Sequence, residues 1–176
     1  MNDIVRITRA LDFAARKHVG HRRKGLAAEP YINHLAEVAL LLAEATNGED
    51  AELVMAGLLH DCIEDQGVRF EDLAELFGAD VAGLVGDVTD DKSLEKAERK
   101  RLQVEHAPHK SDRARMLKIA DKISNLHSMS SSPPKEWDVK RKQQYFEWAK
   151  AVVVGCRGVS ASLEAKFDEA YRRGVC

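Results

Sequence analysis

The run AELVMAGLLHDCIED, residues 51–65, constrains this chain more than any other stretch. Up to Leu59 it is apolar on nearly every side of a helix, so it belongs at the centre of a helical core. The spacing predicts one helix over about 50–63. Its end carries four ionisable side chains: His60, Asp61, Glu64 and Asp65. Charge at the end of a buried helix is costly unless it is paired or binds a cation. On a continuous helix, residues four apart stack. His60 would then lie under Glu64 and Asp61 under Asp65, two stripes meeting on one patch.

Helical period recurs along the rest of the chain. Ile4, Ile7, Leu11, Ala14 and Ala15 share one face over about 3–18. INHLAEVALLLAEA gives a helix over about 31–46, stopped by Asn47-Gly48. Further helices are expected over about 70–77, 80–88, 94–106, 111–128, 136–155 and 159–173, with SMSSSPPKEW as a surface turn. No stretch alternates apolar and polar residues as a half-buried strand does. The expected fold is an all-α bundle of about eight to ten helices. No repeat, linker or low-complexity run divides the 176 residues, so one domain over 1–176 is expected.

Bulk properties exclude several classes. A net charge of −2 does not suit a general nucleic-acid binder. No run is long and apolar enough for a membrane span, and the N-terminus has no apolar signal core. Cys62, Cys156 and Cys176 are too few and too scattered for a disulfide framework or a thiolate zinc site, so a reducing cytoplasm is the expected setting. Oligomeric state is not readable.

His60 and Asp61 are too few to hold a metal firmly. Two partners suggest themselves elsewhere. His34 lies in an apolar helix, and Asp121 follows the apolar-rich run MLKIA. Alone, His34 suits a hydrogen-bonded core histidine, and Asp121 suits a cap or a pair with Lys118 or Lys122. Together, His34, His60, Asp61 and Asp121 make a nitrogen/oxygen set without sulfur, which suits Mn²⁺, Fe²⁺, Co²⁺ or Zn²⁺.

The order His34, His60-Asp61, Asp121 resembles the HD superfamily of metal-dependent phosphohydrolases. Segments RRKG (22–25), PYINH (30–34), LLHDCIED (58–65), FGADV (77–81), VTDDKSL (88–94), ERKRLQVEHAPH (98–109) and KIADKISNL (118–126) narrow this to the small alarmone hydrolases. These are stand-alone relatives of the hydrolase half of Rel and SpoT enzymes. The resemblance implies an HD-domain fold and Mn²⁺-dependent removal of the 3′-pyrophosphate from guanosine tetra- and pentaphosphate. It implies that His34, His60, Asp61 and Asp121 are metal ligands and that Glu64 and Asp65 are the catalytic acidic pair. It also implies that Arg23, Lys24, Asn125 and Ser128 meet the nucleotide.

Lys96 is a further phosphate-contact candidate, although Glu95, Glu98 and Glu105 would equally make its helix a solvated, salt-bridged surface. Two alternatives stay open. One is an HD phosphohydrolase acting on another nucleotide, such as the 2′-phosphate of NADPH. The other is a catalytically silent nucleotide-binding module.

Overall fold

The all-round apolar segment is the most buried helix of its half of the chain. In the computed structural model, which describes residues 2–175, it forms α3, Ala51–Leu59. Eight of its nine residues are buried, and it packs against α1 (Asp3–Lys17), α2 (Ile32–Ala45) and α6 (Ala79–Val88). The Asp50 carboxylate accepts from the Leu53 N–H at 2.9 Å and caps its start.

The helix does not run to residue 63 as its periodicity predicts. It stops at Leu59. His60 and Asp61 form a turn, with Asp61 at φ −98°, ψ 0°, and a separate short helix α4 covers Cys62–Gln66. The apolar phase continues through Cys62 and Ile63, which is why sequence alone reads straight through the break. Gly67, at φ 64°, ends α4 in the left-handed region that glycine adopts without strain.

The described residues contain ten α-helices and no strand, as expected for an all-α fold. They group into two compact units. The first comprises Met1–His21 and Pro30–Ser93 and holds α1 to α4, α5 (Phe70–Phe77) and α6. The second comprises Arg22–Glu29 and Leu94–Cys176. It holds α7 (Lys96–His106), a 3-10 turn at Ala107–His109, α8 (Asp112–Ser131), α9 (Val139–Cys156) and α10 (Ala161–Val175).

In the second unit α8 packs on α9 and α10, around Leu117, Ile123, Leu126, Phe146, Val153 and Phe167. Ser111 and Asp138 cap α8 and α9. Residues 22–29 dock there through the Ala27 N–H, which donates to Ser132 Oγ at 2.7 Å. Cys62 and Cys156 are buried free thiols, while Cys176 lies outside the described residues.

Gly57 sits where α3 meets α2. A Cβ there would lie 2.8 Å from Leu42 Cδ1 and 3.3 Å from Ala39 Cα. A larger side chain must push the two helices apart. Gly57→Val should therefore lower stability by about 2 kcal/mol, read as a fall in urea midpoint at unchanged slope.

Candidate metal centre and active site

Two imidazoles and one carboxylate converge at the break between α3 and α4. His34 comes from the first turn of α2 and His60 follows the last residue of α3. They are 3 % and 5 % exposed. Their ring centroids are 5.2 Å apart at an angle of 67°. His34 Nε2 lies 3.6 Å, and His60 Nε2 3.1 Å, from the same oxygen, Asp61 Oδ2.

His60 Nδ1 is 2.8 Å from the Gly57 carbonyl oxygen. A carbonyl only accepts, so Nδ1 carries the proton, and in neutral histidine this leaves the lone pair on Nε2, facing Asp61. A lone pair and a carboxylate oxygen at that range are compatible only with positive charge between or on them. Burial pushes the Asp61 carboxyl up, but the charges and hydrogen bonds of His60 and His34 outweigh it and hold it well below the usual carboxylate range. The donor chemistry thus fits a borderline divalent cation, and these residues form a possible metal site.

Just past the break, the two acidic residues meet different surroundings. Glu64 accepts the Asp90 N–H at 3.1 Å. Burial nonetheless pushes the Glu64 carboxyl up, and the nearby charges of Asp90, Asp61 and Asp65 add to that rise. Asp65 accepts from Lys92 Nζ at 2.5 Å. One loop, after α6, therefore touches both carboxylates. The break means that Glu64 and Asp65 do not continue the helix of His60, as the stacking expectation assumed.

Behind Asp61 stands a group that sequence reading missed. The Tyr31 hydroxyl donates to Asp61 Oδ2 at 2.6 Å. Its ring lies on His21, with centroids 3.8 Å apart, and near His18 at 5.1 Å, nearly parallel to both. Gln66 Nε2 lies 3.4 Å from His18 Nδ1 and 3.3 Å from His21 Nδ1. The tyrosine of PYINH, three residues before His34, was the available signal. An aromatic side chain in an apolar helix otherwise reads as packing.

The second unit carries the remaining candidates. On α8, Asp121 Oδ2 accepts from Lys122 Nζ at 2.9 Å and Oδ1 from Asn125 Nδ2 at 2.7 Å. Asn125 Oδ1 in turn accepts from Arg23 Nη2 at 2.9 Å. Sequence reading placed Arg23 and Asn125 in one substrate group, and the structure brings them together. Ser128, half-buried, is on the same helix.

Lys96 is exposed at the start of α7. Burial, then the charges of Lys24, Arg141 and Arg99, push its ammonium down. Lys100 and Lys122 ammonium groups lie 4.4 Å and 4.5 Å from the Trp148 ring centroid. Arg101, by contrast, is held by Glu98 and Glu105, so that part of α7 is the salt-bridged surface expected. Sequence alone does not single out Lys122 and Arg141 for this role.

A helical fold that presents a histidine ahead of a His-Asp pair at a helix break defines the HD class of proteins. The HD-domain family profile matches residues 10–146, and the chain belongs to that family. Among its relatives, the guanosine-3′,5′-bis(diphosphate) 3′-pyrophosphohydrolase MESH1 of Drosophila melanogaster is 49% identical over 163 residues, covering 93% of this chain and 91% of that protein. MESH1 of Homo sapiens is 43% identical over 172 residues, covering 98% and 96%. A solved structure of a metazoan ortholog of SpoT that hydrolyzes ppGpp superposes with a TM-score of 0.91, at 48% identity and 97% coverage of each chain. No helix among the described residues is long and apolar enough to cross a membrane.

Burial pushes the His18 imidazole down to about 4, against the pull of Asp61. The unfolded chain then holds a proton at His18, between its ordinary 6.5 and about 4, that the folded chain lacks. Stability should therefore fall as pH drops through that window. Urea midpoints for wild type and His18→Phe across it check this. The variant should show the shallower pH slope, and equal slopes would refute the assignment.

Proposed function

We propose that this chain is a metal-dependent guanosine-3′,5′-bis(diphosphate) 3′-pyrophosphohydrolase, converting ppGpp and pppGpp to GDP or GTP and pyrophosphate. The observation that carries the reading is the convergence of His34 Nε2 and His60 Nε2 on Asp61 Oδ2, with Glu64 and Asp65 directly after it. Relatives with that activity, alike over more than nine-tenths of their length, support it. The family profile runs through parts of both units, which supports one functional domain over 1–176.

His34, His60 and Asp61 are the proposed metal ligands, and Asp121 is proposed as the fourth on the motif order. The nitrogen/oxygen set suits Mn²⁺, our proposed ion. Such an ion would act as a Lewis acid toward phosphate oxygen and make water a stronger acid. Glu64 is the proposed proton carrier. Its burial keeps a proton accessible nearer neutrality, so it can take one from the attacking water or return one to the departing 3′-oxygen. Asp65, held by Lys92, orients the water. Water adds to phosphorus, the P–O bond to the ribose 3′-oxygen breaks, and the diphosphate leaves.

Arg23, Lys24, Asn125, Ser128 and Lys96 are the proposed substrate contacts. The grouping of Lys96 with Lys24, Arg141 and Arg99 favours a ligand of several negative charges. The small nucleotide is the proposed partner, without nucleic acid or membrane. The cytoplasm is the proposed setting, in keeping with the free thiols Cys62 and Cys156.

Purified protein with Mn²⁺ and guanosine tetraphosphate should release pyrophosphate and GDP. Faster release of phosphate from NADPH would move the substrate to that nucleotide, and binding of either without turnover would sink the enzyme reading. His60→Ala and Asp61→Ala should lose metal and activity together, measured by metal analysis and product assay. Glu64→Gln should keep metal and nucleotide but slow hydrolysis by roughly 10²- to 10⁴-fold, a change in kcat rather than KM.

A further inference from the structure

We infer that Tyr31 is a positioning residue for the metal centre, acting through Asp61, and that the His21 ring holds it in place. This rests on the ligand set proposed above. The phenol O–H donates at 2.6 Å to Asp61 Oδ2, the oxygen that faces both imidazole Nε2 atoms. A hydrogen bond to a charged acceptor at this length is among the stronger kinds. Asp61 needs such a brace. It sits in the non-helical turn between α3 and α4, and no side-chain cap bond of its own ties it to α4. Without a donor on Oδ2, the carboxylate can rotate away from the imidazoles.

Tyr31 is itself fixed from several sides. Its N–H donates to the His21 carbonyl at 3.0 Å, and its carbonyl accepts the His34 N–H at 3.0 Å. Its ring stacks on His21 at 3.8 Å with a 7° interplanar angle, and it meets the His34 ring edge-on at 5.4 Å. A flat, nearly parallel stack restricts both side-chain torsions, so the hydroxyl points one way. The backbone of His34 and the carboxylate of Asp61 are thus tied through one side chain. A residue serving packing alone would need the ring and not the hydroxyl, and this separates the two roles. Outer groups that hold a metal ligand typically change metal affinity or activity by about 10- to 100-fold when removed.

The test uses the full chain, stripped of metal and titrated with Mn²⁺, with free ion followed by its EPR signal. Tyr31→Phe keeps the ring and removes the donor. It should weaken Mn²⁺ binding by about 10- to 100-fold, with a melting temperature close to wild type in the absence of metal. His21→Ala should also weaken binding, and His21→Phe should restore it by rebuilding the stack. This pair carries the test if Tyr31→Phe does not fold. Wild-type affinity in Tyr31→Phe, or equal affinities in the two His21 variants, would overturn the inference. His60→Ala separates the failures. If it binds Mn²⁺ like wild type, the ligand set falls and takes the Tyr31 role with it. If it loses the ion while Tyr31→Phe does not, the Tyr31 role alone falls.

Discussion

The convergence of two imidazoles on one carboxylate oxygen is the constraint around which the first unit is arranged. It requires α2 and α3 to lie close, α3 to stop abruptly, and the turn after it to hold a charge inside the protein. Gly57 serves the first requirement and the convergence itself. Its missing side chain lets α3 close on Ala39 of α2, the helix that carries His34. Its carbonyl accepts from His60 Nδ1 and so turns Nε2 toward Asp61. The apolar bulk of α3 makes this arrangement stiff. A helix buried along nearly its whole length has little freedom to slide, so the residues at its end are placed by core packing rather than by a loop.

Much of this was legible in the sequence, for identifiable reasons. All-round apolarity marked α3 as central, and capping residues such as Asp50 and Ser111 fell close to the expected starts. The His-Asp pair and the acids after it stood out because buried charge is rare. The break at His60-Asp61 was not legible. Cys62 and Ile63 keep the helical phase, and what ends α3 is tertiary: the Tyr31 hydroxyl and the two imidazoles around Asp61. Lys92 was invisible for a different reason. Its contact with Asp65 spans a loop and a helix that share no periodicity, so no local pattern could join them.

Neighbouring carboxylates with the same chemistry can be given different tasks only by their surroundings. Glu64 and Asp65 have such different surroundings. Glu64 is pushed up by burial and by the charges of Asp90, Asp61 and Asp65, and the hydrogen bond from the Asp90 N–H does not offset this. Asp65 instead accepts from the Lys92 ammonium. The same loop supplies both influences, the Asp90 N–H to one and the Lys92 ammonium to the other. That pattern is in keeping with the proposed division, in which Glu64 exchanges a proton and Asp65 orients the water.

The second unit presents the complementary problem, positive charge removed from water. Lys122 is 3 % exposed, and its ammonium meets the Asp121 carboxylate and the Trp148 ring. Buried ion pairs seldom add net stability, because desolvation of both charges offsets their attraction. Apolar residues of similar volume would serve the packing of α8 and α9 at least as well. The chain from Arg23 through Asn125 to Asp121 and Lys122 is therefore better explained by orientation than by stability. Each oxygen of Asp121 has a fixed donor, and Asn125 has both a donor and an acceptor partner. A carboxylate so restrained loses little further freedom on taking up a ligand, which is the physical advantage of a preorganised site.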